Sequence, residues 1–176
     1  MRHVRWALAL LLGVGVAGCE RQPAAAPLVE ETDPFANLGP GIHPVLVLAA
    51  RTPESARVEL HLKRVQVTAQ VASYQGELTY DAARMKLSAA EFPAGLAGAW
   101  NEVEPGRVRF AAAAPSGVGD AAVLTLSFAA TEKPSAEHFT LAMEEVVASE
   151  EFADLTPQVA QRPHPLFSET QVQPER

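Results

Sequence analysis

Cysteine occurs once in the 176 residues, at Cys19, so no disulfide framework can form within the chain. Aromatic residues make up only 6% of the chain, with two Trp and two Tyr. That scarcity excludes the broad aromatic platform on which sugar rings stack. Basic residues are in the minority, 14 Lys and Arg against 21 Asp and Glu for a formal net charge of -7. An acidic chain without a basic stripe excludes nucleic acid as a partner and a polybasic grip on anionic lipid. No apolar run reaches the ~20 residues that a membrane-spanning helix needs.

Catalytic and metal signatures are missing as well. The five histidines, His3, His43, His61, His138 and His164, have no second ligand at the close spacing of a zinc site. There is no Gly-x-Ser-x-Gly nucleophile motif and no phosphate-cradling glycine loop. The expectation is a chain that is not an enzyme and takes no metal or cofactor.

What is present begins with Arg2 and Arg5, followed by an apolar run from Trp6 to Ala17. These have the form of the charged and hydrophobic regions of a secretory leader. The run ends in Val16-Ala17-Gly18-Cys19, which resembles the lipobox of bacterial lipoproteins. In that family the cut falls before the cysteine, which implies a leader over residues 1–18 and lipid attachment at Cys19. Each buried methylene of an acyl chain contributes about 0.8 kcal/mol, and several chains together hold a protein firmly. The resemblance thus implies a protein of the bacterial cell envelope, joined to the membrane through acyl chains on Cys19. Glu20 stands where, by the same resemblance, an aspartate would mark inner-membrane retention, so the outer membrane or a periplasm-facing surface is favoured.

Loss of Arg2 and Arg5 with the leader leaves twelve basic against twenty-one acidic side chains, a net of -9. Residues 19–44 are rich in Pro and Ala and lack an apolar period, so they read as an acidic tether. In polyproline II form at ~3.1 Å per residue, such a segment reaches up to ~80 Å. Residues 157–176 are again proline-rich, with few apolar side chains, and read as a disordered tail. Nine of the fourteen prolines fall outside residues 45–156, and that asymmetry bounds a single folded domain of ordinary size.

Within that domain apolar residues alternate. Val58, Leu60 and Leu62 share one face of RVELHLK, Val108, Phe110 and Ala112 one face of GRVRFAAAA, and Leu124, Leu126 and Phe128 one face of AAVLTLSFAA. This is the period of half-buried strands. Further strands are predicted at Val45 to Ala50, Val71 to Tyr80, Met85 to Ser88 and Phe139 to Met143. Turn signals separate the runs: Thr52-Pro53-Glu54-Ser55, Glu104-Pro105-Gly106, Pro115-Ser116-Gly117, Gly119-Asp120 and Lys133-Pro134-Ser135. SAEHFTLAMEEVVASEEF has helical propensity, but Phe139, Leu141 and Met143 alternate, which predicts a strand running into an acidic loop.

In this order, residues 45–157 resemble cohesin domains and the wider cohesin and carbohydrate-binding-module superfamily. The resemblance rests on VASYQGELTYDAARMKLSAAEF, on GDAAVLTLSFAAT, and on a hairpin from Asn101 to Ala112 turning at Pro105-Gly106. It implies an all-β fold, a jelly-roll β-sandwich of about nine strands. Two features depart from the family pattern: Gly76 stands where a large apolar residue is usual, which predicts a bulge or a gap filled by a neighbour, and KRVQVTAQ is long for a connection.

Tyr80-Asp81 is the most conspicuous acid in a strand, yet it reads as a strand end with Asp81 opening a turn. Glu144, Glu145, Glu150, Glu151 and Asp154 offer oxygens to calcium but lack the Asp-x-Asp-x-Asp-Gly pattern, so a solvated loop is the simpler reading. Trp100 and Asn101, in AGAWNEVEPGR, are the candidate binding residues. Two functions stand open. One is a non-catalytic module binding a protein, by resemblance a dockerin-like module or an envelope component. The other is a carbohydrate-binding module whose ligand is an envelope polysaccharide.

Overall fold

The computed structural model describes residues 38–119 and 121–160. The leader, Cys19, the tether as far as residue 37 and the tail from residue 161 lie outside the described residues.

The described chain forms eight strands: β1 (Gly41–Arg51), β2 (Ser55–Val65), β3 (Val71–Tyr80), β4 (Met85–Glu91), β5 (Ala97–Glu104), β6 (Arg107–Val118), β7 (Ala122–Ala130) and β8 (Phe139–Ala148). They build two four-stranded antiparallel sheets, β1-β2-β7-β4 and β5-β6-β3-β8. Sandwich architecture therefore agrees with the expectation. In place of a ninth strand there is an isolated parallel bridge between Ile42 and Val159.

The core is the sum of the alternating faces. Val58, Leu60 and Leu62 of β2 and Leu124, Leu126 and Phe128 of β7 meet Leu78 of β3 and Val108 and Phe110 of β6, all buried. Among the described residues no polar or charged residue is buried. The rings of Tyr80, Phe128 and Phe139 stack edge to face with centroids 5.0 and 5.4 Å apart, a geometry aromatic quadrupoles favour. Tyr74, also buried, satisfies its hydroxyl by donating to the Val123 carbonyl at 2.6 Å.

Several boundaries differ from expectation, each for a physical reason. Gly41–Pro44 belong to β1 rather than the tether. Pro44 is tolerated there because β1 is a sheet edge, where a missing N–H breaks no ladder on the open side. Pro115-Ser116-Gly117 is not a turn but part of β6. The ladder to β3 jumps from Ser73–Ala113 to Val71–Val118, so the extra residues form a bulge that absorbs the proline, with Gly117 at φ +82°. The strand after Phe139 runs on to Ala148, taking in Glu144 and Glu145. The ordered domain continues past residue 156, since Leu155 and Val159 are buried and the Ala160 N–H donates to the Ile42 carbonyl at 2.8 Å. KRVQVTAQ divides: β2 keeps Lys63 to Val65, then Gln66 at φ +57° turns the chain out.

Gly76 shows both predicted outcomes at once. Facing it, the β3–β8 register jumps from Gln75–Glu145 to Gly76–Met143, leaving Glu144 as the extra residue of a bulge. A Cβ on Gly76 would lie 2.6 Å from the Ala142 carbonyl oxygen, 2.9 Å from the Phe110 ring and 3.2 Å from the Met143 sulfur. Those neighbours fill the space a large residue would have taken.

Candidate binding face

The outer surface of the β5-β6-β3-β8 sheet follows from strand alternation. With Val108 and Phe110 inward, β6 must project Arg107 and Arg109 outward, and β3 projects Gln75, Glu77 and Thr79 beside them. The bulge in β8 brings Glu144 to the same surface. Arg109 Nη2 donates to both Glu144 carboxylate oxygens, at 2.6 and 2.8 Å. Arg107 reaches Glu77 at 2.9 Å through Nε and Glu104 at 3.2 Å through Nη1. Hydrogen bonding to Glu77, and then to Glu104, pushes the Arg107 guanidinium further toward its charged form. These are exposed pairs, so they fix side-chain positions more than they add stability.

Between these pairs and β5 lies a shallow, open depression of about 450 Å³, lined by Gln75, Trp100, Asn101, Arg109, Phe110 and Glu144 among others. Asn101, paired with Arg109, opens into it, whereas Trp100, paired with Phe110, carries its side chain on the other side of β5 together with Gly98 and Glu102. Trp100 is 40% exposed and Val103, two residues past Asn101, 45%. Val103 was not among the residues singled out from sequence. It stands at the β5–β6 register jump between Glu102 and Glu104, which no local pattern announces. Arg109 and Glu144 were missed as a pair because their meeting depends on the bulge opposite Gly76.

The Tyr80-Asp81 pair is structural. The Tyr80 hydroxyl donates to the Glu102 carboxylate and accepts from the Leu87 N–H at 3.2 Å. Burial first, and then Glu102, push its pKa up. Asp81 accepts from the Ala83 N–H at 2.9 Å, two residues on, and its other oxygen meets Arg84 Nε at 2.9 Å. Glu102 also accepts from the Gly106 N–H at 3.3 Å, joining the β5–β6 turn to the end of β3.

The acidic run is dispersed by the fold. Glu144 pairs with Arg109, Glu145 lies in β8, Glu150 and Glu151 occupy the following turn, and Asp154 accepts from the Thr156 N–H at 2.8 Å. Among the described residues no group of three or more His, Cys, Asp or Glu side chains could hold a metal ion. Chemically, the face offers paired guanidiniums and carboxylates and an amide. That is an equipment for recognition: arginine is among the residues that dominate binding surfaces.

No family model matches the sequence, and no curated relative matches it. Among solved structures the fold is similar to that of the sixth cohesin of scaffoldin B from Acetivibrio cellulolyticus, in complex with a mutant Cel5 dockerin. The TM-score is 0.53 at 12% identity, over 68% of this chain and 94% of that one. It is equally similar to the OlpA cohesin of the Clostridium thermocellum Coh-OlpA-Doc918 complex, with TM-score 0.53, 14% identity, and 68% and 94% covered. A non-cellulosomal cohesin from the archaeon Archaeoglobus fulgidus gives TM-score 0.52 at 15% identity, covering 68% of this chain and 85% of that one. The domain has a cohesin-like jelly-roll fold.

Proposed function

We propose that this is a lipid-anchored envelope protein whose cohesin-like sandwich binds another protein, without catalysis, through the outer face of the β5-β6-β3-β8 sheet. The observation that carries the reading is the open depression beside β5, where Asn101 lies next to the Arg109–Glu144 pair. A shallow site of this shape suits a protein surface better than an enclosed small molecule. Two of the similar cohesins are solved in complex with dockerins, which makes a dockerin-like module the first partner to try. Presentation from the membrane rests on the lipobox at Val16 to Cys19, with residues 20–37 as spacer.

The binding test is retention of an envelope component by the native chain and its loss with Arg109→Glu, which breaks the pair with Glu144 and reverses the charge in the depression. Equal retention by both would move the binding surface elsewhere. For the anchor, labelled palmitate should enter the native chain and not Cys19→Ser; label in the serine variant would defeat the lipid account. A second reading, polysaccharide binding, is favoured by the exposed indole of Trp100. It predicts a change in Trp100 fluorescence on adding envelope polysaccharide, whereas the protein-binding reading predicts none.

A further inference from the structure

Val45 is buried on the side of its sheet that faces away from the core. In β1, Ile42, Leu46 and Leu48 turn into the core, so alternation sends His43, Val45 and Val47 to the outer face of the β1-β2-β7-β4 sheet, where Val45 stands opposite His61. β1 is an edge strand, and an outward valine there has every opportunity to meet solvent. Val45 is nevertheless 1% exposed, and it stands apart from the core cluster. The cover is local: on the same face the His61 side chain is 15% exposed, whereas that of Arg57, further along β2, is 56% exposed. Burial within one copy of the chain has to come from that chain. The approach to β1 shows a direction. His43 Nε2, on this outer face, donates to the Gly39 carbonyl at 2.7 Å, and Leu38 is half-buried. That bond ties the chain just ahead of β1 to the face that holds Val45.

We propose that residues 32–37 of the tether dock on this outer face, with the Phe35 ring over Val45 and Val47 and Asp33 toward His61 and Lys63. The reach is sufficient. Val45 lies two residues beyond His43, about 7 Å along the strand, and the chain from Gly39 back to Phe35 can span up to ~14 Å. Phe35 is the one large apolar side chain of the segment, and a ring laid on two valines removes apolar surface from water. Charge favours this occupant over the other end of the chain. The corner carries His43, His61 and Lys63 against Glu59; residues 32–37 bring an acid and no base, whereas residues 161–167 bring Arg162 and His164 and no acid. The path agrees: Val159 is bridged to Ile42 and packs into the core, so the chain beyond it sets out from the edge of the sheet, not from its outer face. Docked in this way, the tether departs from the sheet opposite the candidate binding face and leaves that face unobstructed. Where Cys19 is lipidated, as proposed above, residues 20–31 are the spacer that remains, with a reach of about 37 Å at ~3.1 Å per residue. That consequence rests on the anchor; the docking does not.

Thiol labelling tests the cover. In the full chain carrying Cys19→Ser, so that the introduced thiol is unique and the anchor plays no part, Val45→Cys should label slowly. Adding Phe35→Ala should speed labelling about tenfold while circular dichroism shows the sandwich still folded. Adding Phe167→Ala instead should leave the rate unchanged. A second measurement keeps Val45 intact: a protease that cuts before aspartate should cleave the Thr32–Asp33 bond about tenfold faster in Phe35→Ala than in the native chain. Fast labelling of Val45→Cys beside an unaltered tether overturns the proposal. So does equal cleavage at Asp33 in the two chains, or labelling that answers to Phe167→Ala and not to Phe35→Ala, which would seat the tail on Val45. Neither readout involves lipid, so failure here leaves the anchor standing, and failure of palmitate labelling leaves the docking standing.

Discussion

The two flanks of the sandwich close in different ways. At the β1 and β8 flank the chain itself returns: residues 153–160 donate backbone hydrogen bonds to both edge strands, Thr156 Oγ1 accepts from the Val146 N–H at 3.0 Å, and Leu155 and Val159 are buried. At the β4 and β5 flank closure depends on side chains, with Phe92 laid over Gly98 and Glu102 reaching in to the Tyr80 hydroxyl. A flank sealed by backbone is committed to stability. A flank sealed by side chains leaves a strand edge and an indole exposed, and the candidate site lies beside it.

The contrast is most directly broken at Leu155. Leu155→Ala removes a buried side chain under the returning segment and should cost about 2–5 kcal/mol, as core truncations do. Chemical denaturation should show a lower midpoint with little change in slope. Trp100→Ala on the other flank removes a larger but exposed ring and should cost far less by the same measurement.

Two glycines give a second comparison. A methyl at Gly76 meets the Ala142 carbonyl oxygen at 2.6 Å, a backbone atom that cannot turn aside, so Gly76→Ala should destabilise by about 1–3 kcal/mol. At Gly98 the nearest atoms all belong to the Phe92 ring, a side chain that can shift where a backbone carbonyl cannot, so Gly98→Ala should cost less than Gly76→Ala. Equal losses would mean that the β4 and β5 flank is as tightly packed as the sheet centre.

Much of this fold is legible in alternation. β2, β3, β6 and β7 each bury every second residue, and a period of two survives whatever the strands pair with. The irregularity at Gly76 was legible too, because glycine in a strand marks either a bulge or a close approach. The unread parts depend on partners distant in the chain. Residues 157–160 look like tail because Pro157 and sparse apolar residues hide that Val159 meets Ile42. Pro115 reads as a turn because nothing nearby reveals a bulge wide enough to hold it. Ala97-Gly98-Ala99 has no alternation at all, as an edge strand exposed on both sides needs none. The site was half legible: Trp100 and Asn101 stand out as rare residue types, whereas Arg109 and Glu144 are ordinary charges until a bulge brings them together.

The Tyr80 link on the side-chain flank should be smaller in effect than the truncation of Leu155. Tyr80→Phe keeps the ring on Phe128 and removes both hydrogen bonds of the hydroxyl, the one to Glu102 and the one from the Leu87 N–H, at about 0.5–1.5 kcal/mol each. Burial raises the pKa of both Tyr74 and Tyr80 above the ordinary 10.0. Groups that hold their protons more tightly when folded lend stability that is intact below pH 10 and drains away as the unfolded chain begins to ionise above it. Tyrosinate absorbance in the native chain should therefore rise together with unfolding rather than ahead of it. An early rise at constant fold would show that the hydroxyls are reached by solvent.

The smallest effect belongs to Asp154, at the start of the returning segment. Hydrogen bonds from the Thr156 side chain and N–H hold its carboxyl below the usual value of 3.8. A carboxylate favoured by folding contributes above its unfolded pKa, and its contribution is lost as pH falls through the folded one. The segment should thus loosen only below about pH 4. Amide exchange at Leu155 and Ala160, whose N–H groups bond β8 and β1, reads that loosening directly. Asp154→Asn should raise exchange at Leu155 and Ala160 already at neutral pH and remove the acid dependence there. Because β5 has no equivalent clasp, its exchange should stay flat across the same range.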